Sequence, residues 1–206
     1  MLGRAMGNLI LLRHGRTSMN RQDRSGESSE RIRGHVDVPL DKEGKRQAQE
    51  LGVKYGNMDI ARVYSSDLQR ARIVAEHIAK VAHAAGKPVP LIDTDALRPW
   101  DLGILHGKEV DKVLQVMNKC VEHPDVVIPD GESFDSYRKR YLPFLAQMLA
   151  EAKRSPGHIV AVTHSRNIQL ARAWDKAGRK GVEYDVPRML DYKDEVGPGS
   201  HIELKP

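Results

Sequence analysis

The chain has 206 residues, 40% hydrophobic and 30% charged, with a net charge of +5 and one cysteine, Cys120. That length suits a single domain with a substantial core, and the lone cysteine excludes an internal disulfide or a multi-cysteine metal centre and fits a reducing, cytoplasmic setting. No apolar stretch approaches the roughly 20 residues that span a bilayer, the run after residues 1–7 is too short and too β-like for a signal peptide, and dispersed basic residues with only 5% aromatics argue against a nucleic-acid platform.

Residues 8–14 read as a short buried strand that ends at Arg13-His14-Gly15. Residues 21–33 are highly polar, with Arg21, Asp23, Arg24, Glu27, Glu30, Arg31 and Arg33, and predict a solvated surface loop. A helix is expected after Pro39-Leu40-Asp41, with Ala48, Leu51 and Tyr55 inward, and a short strand over 62–65. Ser66-Asp67-Leu68-Gln69 has the form of a capping box, and Ala71, Val74, Ala75, Ile78, Ala79 and Ala82 then recur at helical spacing. Arg70 falls in the first turn of that helix.

Residues 89–92 predict another strand and 108–122 a helix carrying Val110, Val113, Leu114, Met117 and Val121, with Cys120 as packing. After a loop at 124–129, a long helix over 133–153 turns Phe134, Tyr137, Tyr141, Leu145, Met148 and Ala152 inward, and Pro143 is expected to kink or break it. Residues 158–163 form a second apolar strand ending at His164, a helix starts near Ser165, and 200–205 read as an edge strand. Strands alternating with helices predict an α/β fold, a three-layer α/β/α sandwich around a mostly parallel sheet. Residues 1–206 form one domain, with 104–130 as a small cap.

Two strands that each finish in a histidine predict one site at the carboxyl edge of that sheet, where open α/β sheets bind ligands. A neutral, positioned imidazole can attack phosphorus and form a covalent phosphohistidine. Arginine forks suit the charge on the transferred group. A helix starting at the second histidine adds backbone donors. The net positive charge fits a field that draws small anions into a cleft, or equally a basic surface without a role. His35, His77, His83, His106, His123, His158 and His201 show no metal-ligand spacing, so neither metal nor cofactor is expected. His35 and His106 are candidates to approach the cleft, and Trp100 reads as a packing residue of its loop.

Arg13-His14-Gly15-Arg16-Thr17 with Asn20 resembles the signature of the histidine phosphatase superfamily, the phosphoglycerate-mutase-like proteins. Four further blocks follow in the family's order. They are Arg33-Gly34-His35-Val36-Asp37-Val38-Pro39-Leu40 with Gly44, Tyr64-Ser65-Ser66-Asp67-Leu68-Gln69-Arg70-Ala71, Gly131-Glu132-Ser133, and Val162-Thr163-His164. The similarity runs from about residue 8 to 175. It implies a phosphoglycerate-mutase-like fold with His14 as nucleophile and Arg13, Arg70 and His164 around the phosphoryl group. Asn20 is then expected at the edge of the phosphate site and Gly34 near the substrate mouth. Ser165 stands where the family often has glycine.

One departure bears on the chemistry. The family's usual proton donor is a glutamate that follows a Leu-Arg pair, and here Leu97-Arg98 is followed by Pro99. Asp101 and Glu132 are the candidates to replace it, and each has a structural alternative, in fixing the loop or starting a helix with Ser133. The loop at 21–33 is also longer than usual and is expected to reshape the mouth. The resemblance implies a metal-independent phosphatase acting on a small phosphate ester. A phosphoglycerate-type mutase is the first alternative, and a phosphate-binding protein with weakened catalysis is the second.

Overall fold

The computed structural model describes residues 7–22, 28–191 and 196–206. Residues 1–6, and Asp23, Arg24 and Glu27 of the polar stretch, lie outside them. Five strands form the central sheet in the order β5-β4-β6-β1-β7. They are β1 (Leu9–Arg13), β4 (Ile60–Ser66), β5 (Leu91–Thr94), β6 (His158–Thr163) and β7 (His201–Leu204). All neighbouring pairs are parallel except β1 with β7, so the expected edge strand is present and closes one side. The register pairs Arg13 with Thr163, which brings His14 and His164 out side by side.

The two core clusters follow from strand pleating. Ile10, Leu12, Val160 and Val162 face one side, against α1 (Lys42–Gly56) and α2 (Gln69–Ala84). Leu9, Leu11, Ile159 and Ala161 face the other, against α3 (Val110–Glu122), α4 (Phe134–Arg154) and α5 (Ser165–Lys176). Because β1 and β6 are apolar on both faces, each is sandwiched between helical layers. The architecture is the three-layer α/β/α sandwich with a mostly parallel sheet. A short α6 (Val186–Leu190) packs against α5 and α3.

Three local expectations are corrected or narrowed. Of the two outcomes expected at Pro143, a kink or a break, the break does not occur, and α4 runs continuously from Phe134 to Arg154. A proline within a helix costs about 3 kcal/mol, and here burial of Tyr137, Tyr141, Leu142, Leu145, Met148 and Leu149 on both sides of it opposes that cost. Second, Ser66 and Gln69 do not cap α2. Its first residue, Gln69, donates its N–H to Asp37 Oδ1 at 2.8 Å, while Asp67 is drawn to Arg98. A charged partner across the chain outcompetes the local cap.

Third, residues 21–33 are not simply a solvated loop. They contain an antiparallel hairpin, β2 (Asn20–Gln22) with β3 (Ser28–Glu30). Past it, Ile32 is buried in the larger core cluster. Residues 104–130 contribute Leu105, Val113, Met117, Cys120, Val121 and Ile128 to that same cluster, so this part of the chain is welded to the sheet's upper layer.

Candidate active site

A cavity of about 100 Å³ opens at the carboxyl ends of β1, β4 and β6. His14, Arg70, His164, Ser165, Gly34 and Pro99 line it, and Glu30 and Arg33 enter from the hairpin side. Arg13, His14 and Arg70 are each 1% exposed and His164 3%. Burial of two arginines and two histidines at one strand edge is costly unless they are paired with each other, the backbone or a ligand.

The backbone holds His14 from two sides. Its N–H donates to Thr163 O on β6 at 3.0 Å, and its carbonyl accepts from Gly199 N at 3.1 Å. Its Nδ1 lies 2.7 Å from Gly15 O, a geometry in which Nδ1 carries the proton and Nε2 keeps its lone pair. Burial, then the charges of Arg70, Arg33 and Arg13, hold the imidazole well below the ordinary histidine value. His14 is therefore neutral and nucleophilic at Nε2. The His164 ring stands edge-on to it, with centroids 5.1 Å apart. His164 is lowered as well, by burial first and then Arg70. Neither of its nitrogens, nor the Ser165 hydroxyl, has a hydrogen-bond partner among the described residues.

Arg70 reaches in from the start of α2. Its two terminal nitrogens donate to Val36 O at 2.8 Å and Gly34 O at 2.9 Å. Gly34 is required there, since its φ is +46° and a Cβ would lie 2.2 Å from His106 Nε2. Burial first, and the neighbouring Arg33 charge second, push Arg70 down to about 9. Arg13 donates to Val196 O and, at 2.8 Å, to Glu30 Oε1. Glu30 Oε1 also accepts from Arg33 and, at 2.8 Å, from Asn20 Nδ2. Asn20 is in turn held by the N–H and hydroxyl of Thr17, both 3.0 Å from its Oδ1. Burial would raise the Glu30 carboxyl, but Arg13 and Arg33 outweigh it and keep it ionised. Arg13 and Arg33 meet at the one Glu30 carboxylate while Arg70 rests on backbone carbonyls, so positive charge is in excess, which suits a phosphate monoester dianion.

Not every expected residue meets the others. His14, Arg70, His164, Ser165 and Gly34 line the cavity, and Arg13 and Asn20 reach it through Glu30. Asp101 and Glu132 do not line the cavity. The Asp101 carboxylate lies 3.4 Å from His35 Nδ1 and 3.0 Å from His106 Nε2. Glu132 Oε1 accepts from Arg140 at 2.7 Å and from Asp101 N at 3.0 Å. Both tie the loop after Leu97 to its neighbours. Thr163 and Asn167 hold the same loop by donating to Leu97 O, and Trp100 packs edge-on to Phe134, 5.0 Å between ring centroids.

The residues that sequence reasoning missed are Glu30 and Arg33. Ile32, apolar inside an otherwise polar stretch, was the available sign that this stretch turns inward. Among the described residues no group of three His, Cys, Asp or Glu side chains could hold a metal ion, and no helix is long and apolar enough to cross a membrane.

The family model of the histidine phosphatase superfamily (branch 1) matches residues 9–181. A probable phosphoglycerate mutase GpmB of Klebsiella pneumoniae is 32% identical over 152 residues, 70% of this chain and 64% of that protein. Phosphoglycerate mutase-like protein 4 of Arabidopsis thaliana is 36% identical over 163 residues, 76% of this chain and 65% of that one. The chain thus spans just under two thirds of the length of these curated relatives. A mycobacterial glucosyl-3-phosphoglycerate phosphatase, solved with VO3, superimposes with a TM-score of 0.72 at 22% identity, covering 98% of this chain and 91% of that one. At that identity the likeness speaks for the fold.

Proposed function

The chain belongs to the histidine phosphatase superfamily, branch 1, and from that premise we propose that it is a metal-independent phosphomonoesterase working through phospho-His14 on a small phosphate ester. The observation that carries this reading is a neutral His14, with Nδ1 turned to Gly15 O, standing among Arg13, Arg33 and Arg70. His14 Nε2 attacks phosphorus while the ester oxygen departs in line. Arg70 and Arg13 take the non-bridging oxygens, where charge is greatest in the transition state. His164 and the first backbone N–H groups of α5 face the same oxygens from the other strand end. Water then attacks the phosphohistidine and releases inorganic phosphate.

The test is rapid quench with an ester labelled in its phosphoryl group. Label is expected on the protein, lost in acid and kept in base as phosphoramidates behave, and absent from His14→Ala. An active His14→Ala enzyme would overturn the reading. The two relatives named as phosphoglycerate mutase or mutase-like favour a second reading, in which the phosphoryl group passes to another hydroxyl. The same trapped intermediate separates the two: chased with water alone it should decay at the turnover rate in a phosphatase. In a mutase it should decay fast only when phosphoglycerate is added.

A further inference from the structure

Pro99 stands in the cavity wall where the family resemblance would place an acid, and a proline ring has no proton to give. Asp101 and Glu132 are engaged elsewhere. Among the described residues that line the cavity, Glu30 is the only acidic one. We propose that Glu30, carried into the cleft by the β2–β3 hairpin, protonates the leaving oxygen when His14 is phosphorylated and takes a proton from the attacking water afterwards. The inference rests on the phosphatase reading.

The geometry gives Glu30 a way to change its proton affinity when substrate arrives. Before binding, its Oε1 is held by Arg13, Arg33 and Asn20, so the carboxylate occupies the same guanidinium donors that a phosphoryl group requires. An incoming dianion competes for those donors and turns them from the carboxylate to itself. Two contributions then act together. The arginines that kept Glu30 ionised are neutralised by phosphate, and a like charge now sits beside it. Burial, which already pushes this carboxyl upward, is no longer opposed. Glu30 takes up a proton on binding and becomes an acid next to the ester. The charged groups that bear on it are Arg13 from β1 and Arg33 from the chain after β3. Asn20 keeps its 2.8 Å hold on the carboxyl and is itself fixed by Thr17, so the group stays in place while the arginines change partner.

The steps balance. In the first, the bond from His14 Nε2 to phosphorus forms and the bond from phosphorus to the ester oxygen breaks. The Glu30 proton moves to that oxygen, releasing an alcohol and leaving Glu30 ionised. In the second, water attacks phosphorus, its proton passes to Glu30, and the nitrogen–phosphorus bond breaks.

The experiment measures single-turnover phosphorylation of His14 with p-nitrophenyl phosphate and with glycerol phosphate, in the unaltered protein and in Glu30→Gln. A nitrophenolate leaves without help and an alkoxide does not. Glu30→Gln should therefore slow the alkyl ester about 10²–10⁴-fold and the aryl ester far less, so that the ratio of the two rates rises by at least tenfold. Glu30→Asp, which keeps a carboxyl at shorter reach, should give an intermediate ratio, and circular dichroism of both variants should match the parent. An equal loss for both esters means that Glu30 only anchors Arg13 and Arg33, and unchanged rates mean that it has no part; either overturns the proposal. If the unaltered protein forms no phosphohistidine with the aryl ester, the phosphatase reading itself fails. If it does while the ratio stays fixed, only the role of Glu30 fails.

Discussion

The floor and the rim of the cleft are built differently. The floor is made of strand ends and helix starts, with Arg13 and His14 leaving β1, His164 leaving β6 and Arg70 opening α2. Each of these side chains is buried. Three of them rest on main-chain oxygens, His14 on Gly15, Arg70 on Gly34 and Val36, and Arg13 on Val196, and Arg13 alone also reaches a rim side chain, Glu30. The rim is made of loops: the hairpin with Glu30 and Arg33, and the stretch from Leu97 to His106 with Asp101. Its side chains are positioned by other side chains, Glu30 by Asn20 and Asp101 by two histidines. The floor can be preorganised for charge, because its main-chain anchors stay fixed when substrate arrives, and only the Arg13 contact to Glu30 is open to exchange. The rim can exchange partners, which an acid that must lose and regain a proton needs.

The sharpest way to break this contrast is to remove a floor donor. Arg70→Ala and His164→Ala should each lower kcat by about 10²–10³-fold, the 2.7–4 kcal/mol typical of one lost preorganised donor. Far-ultraviolet circular dichroism should stay unchanged. Near-normal turnover in both variants would put the chemistry elsewhere.

A smaller effect follows from the floor's buried neutral histidines. His14 and His164 are held well below the ordinary value of 6.5. Below pH 6.5 the unfolded chain binds protons at these positions that the folded protein refuses, so stability is intact above that pH. It falls as the pH drops toward the folded values, by up to about 1.4 kcal/mol per pH unit for each histidine. Urea unfolding between pH 7.5 and 5 should show this loss, and the double variant His14→Ala, His164→Ala should show a shallower one. An identical slope in the double variant would mean that other groups carry the acid sensitivity.

The smallest effects should come from the rim groups that do not line the cleft. Asp101→Asn and Glu132→Gln should change kcat by less than about tenfold and leave the ratio of alkyl to aryl rates as it is. Their partners are partly exposed, and ion pairs of that kind contribute about 0–1 kcal/mol. A ratio that rises in Asp101→Asn would return the proton donor to the loop after Leu97.

The same division explains what was legible in the sequence. An apolar run cut off by Arg13-His14, and another cut off by His164, mark strand ends whatever the rest of the chain does. The helical recurrence from Ala71 to Ala82 places Arg70 just as directly. These signals are local, and the floor follows from them. Glu30 and Arg33 are buried only because a hairpin folds back over the strand ends, and their polar surroundings read as solvent. Asp101 was found as a candidate, but its orientation depends on His35, distant in sequence, and on how its own loop brings His106 back to it. The start of α2 misled for the same reason, since the reach of Asp37 to Gln69 is a tertiary fact, and the continuity of α4 through Pro143 rests likewise on packing along the helix.

The antiparallel strand β7 has a consequence for when this protein becomes able to react. Arg13 N donates to Ser200 O, His14 O accepts from Gly199 N, and the Arg13 guanidinium donates to Val196 O, 183 positions along the chain. Like the pairing of β1 with β6, this contact joins distant parts of the chain, and both carry a closure cost that local contacts do not. A partly folded chain can pair β1 with β6 and set both histidines side by side while Arg13 still lacks the carbonyl that aims it. The aim of Arg13 thus depends on the last strand of the sheet, and the full set of charged groups is assembled only where β7 has closed against β1.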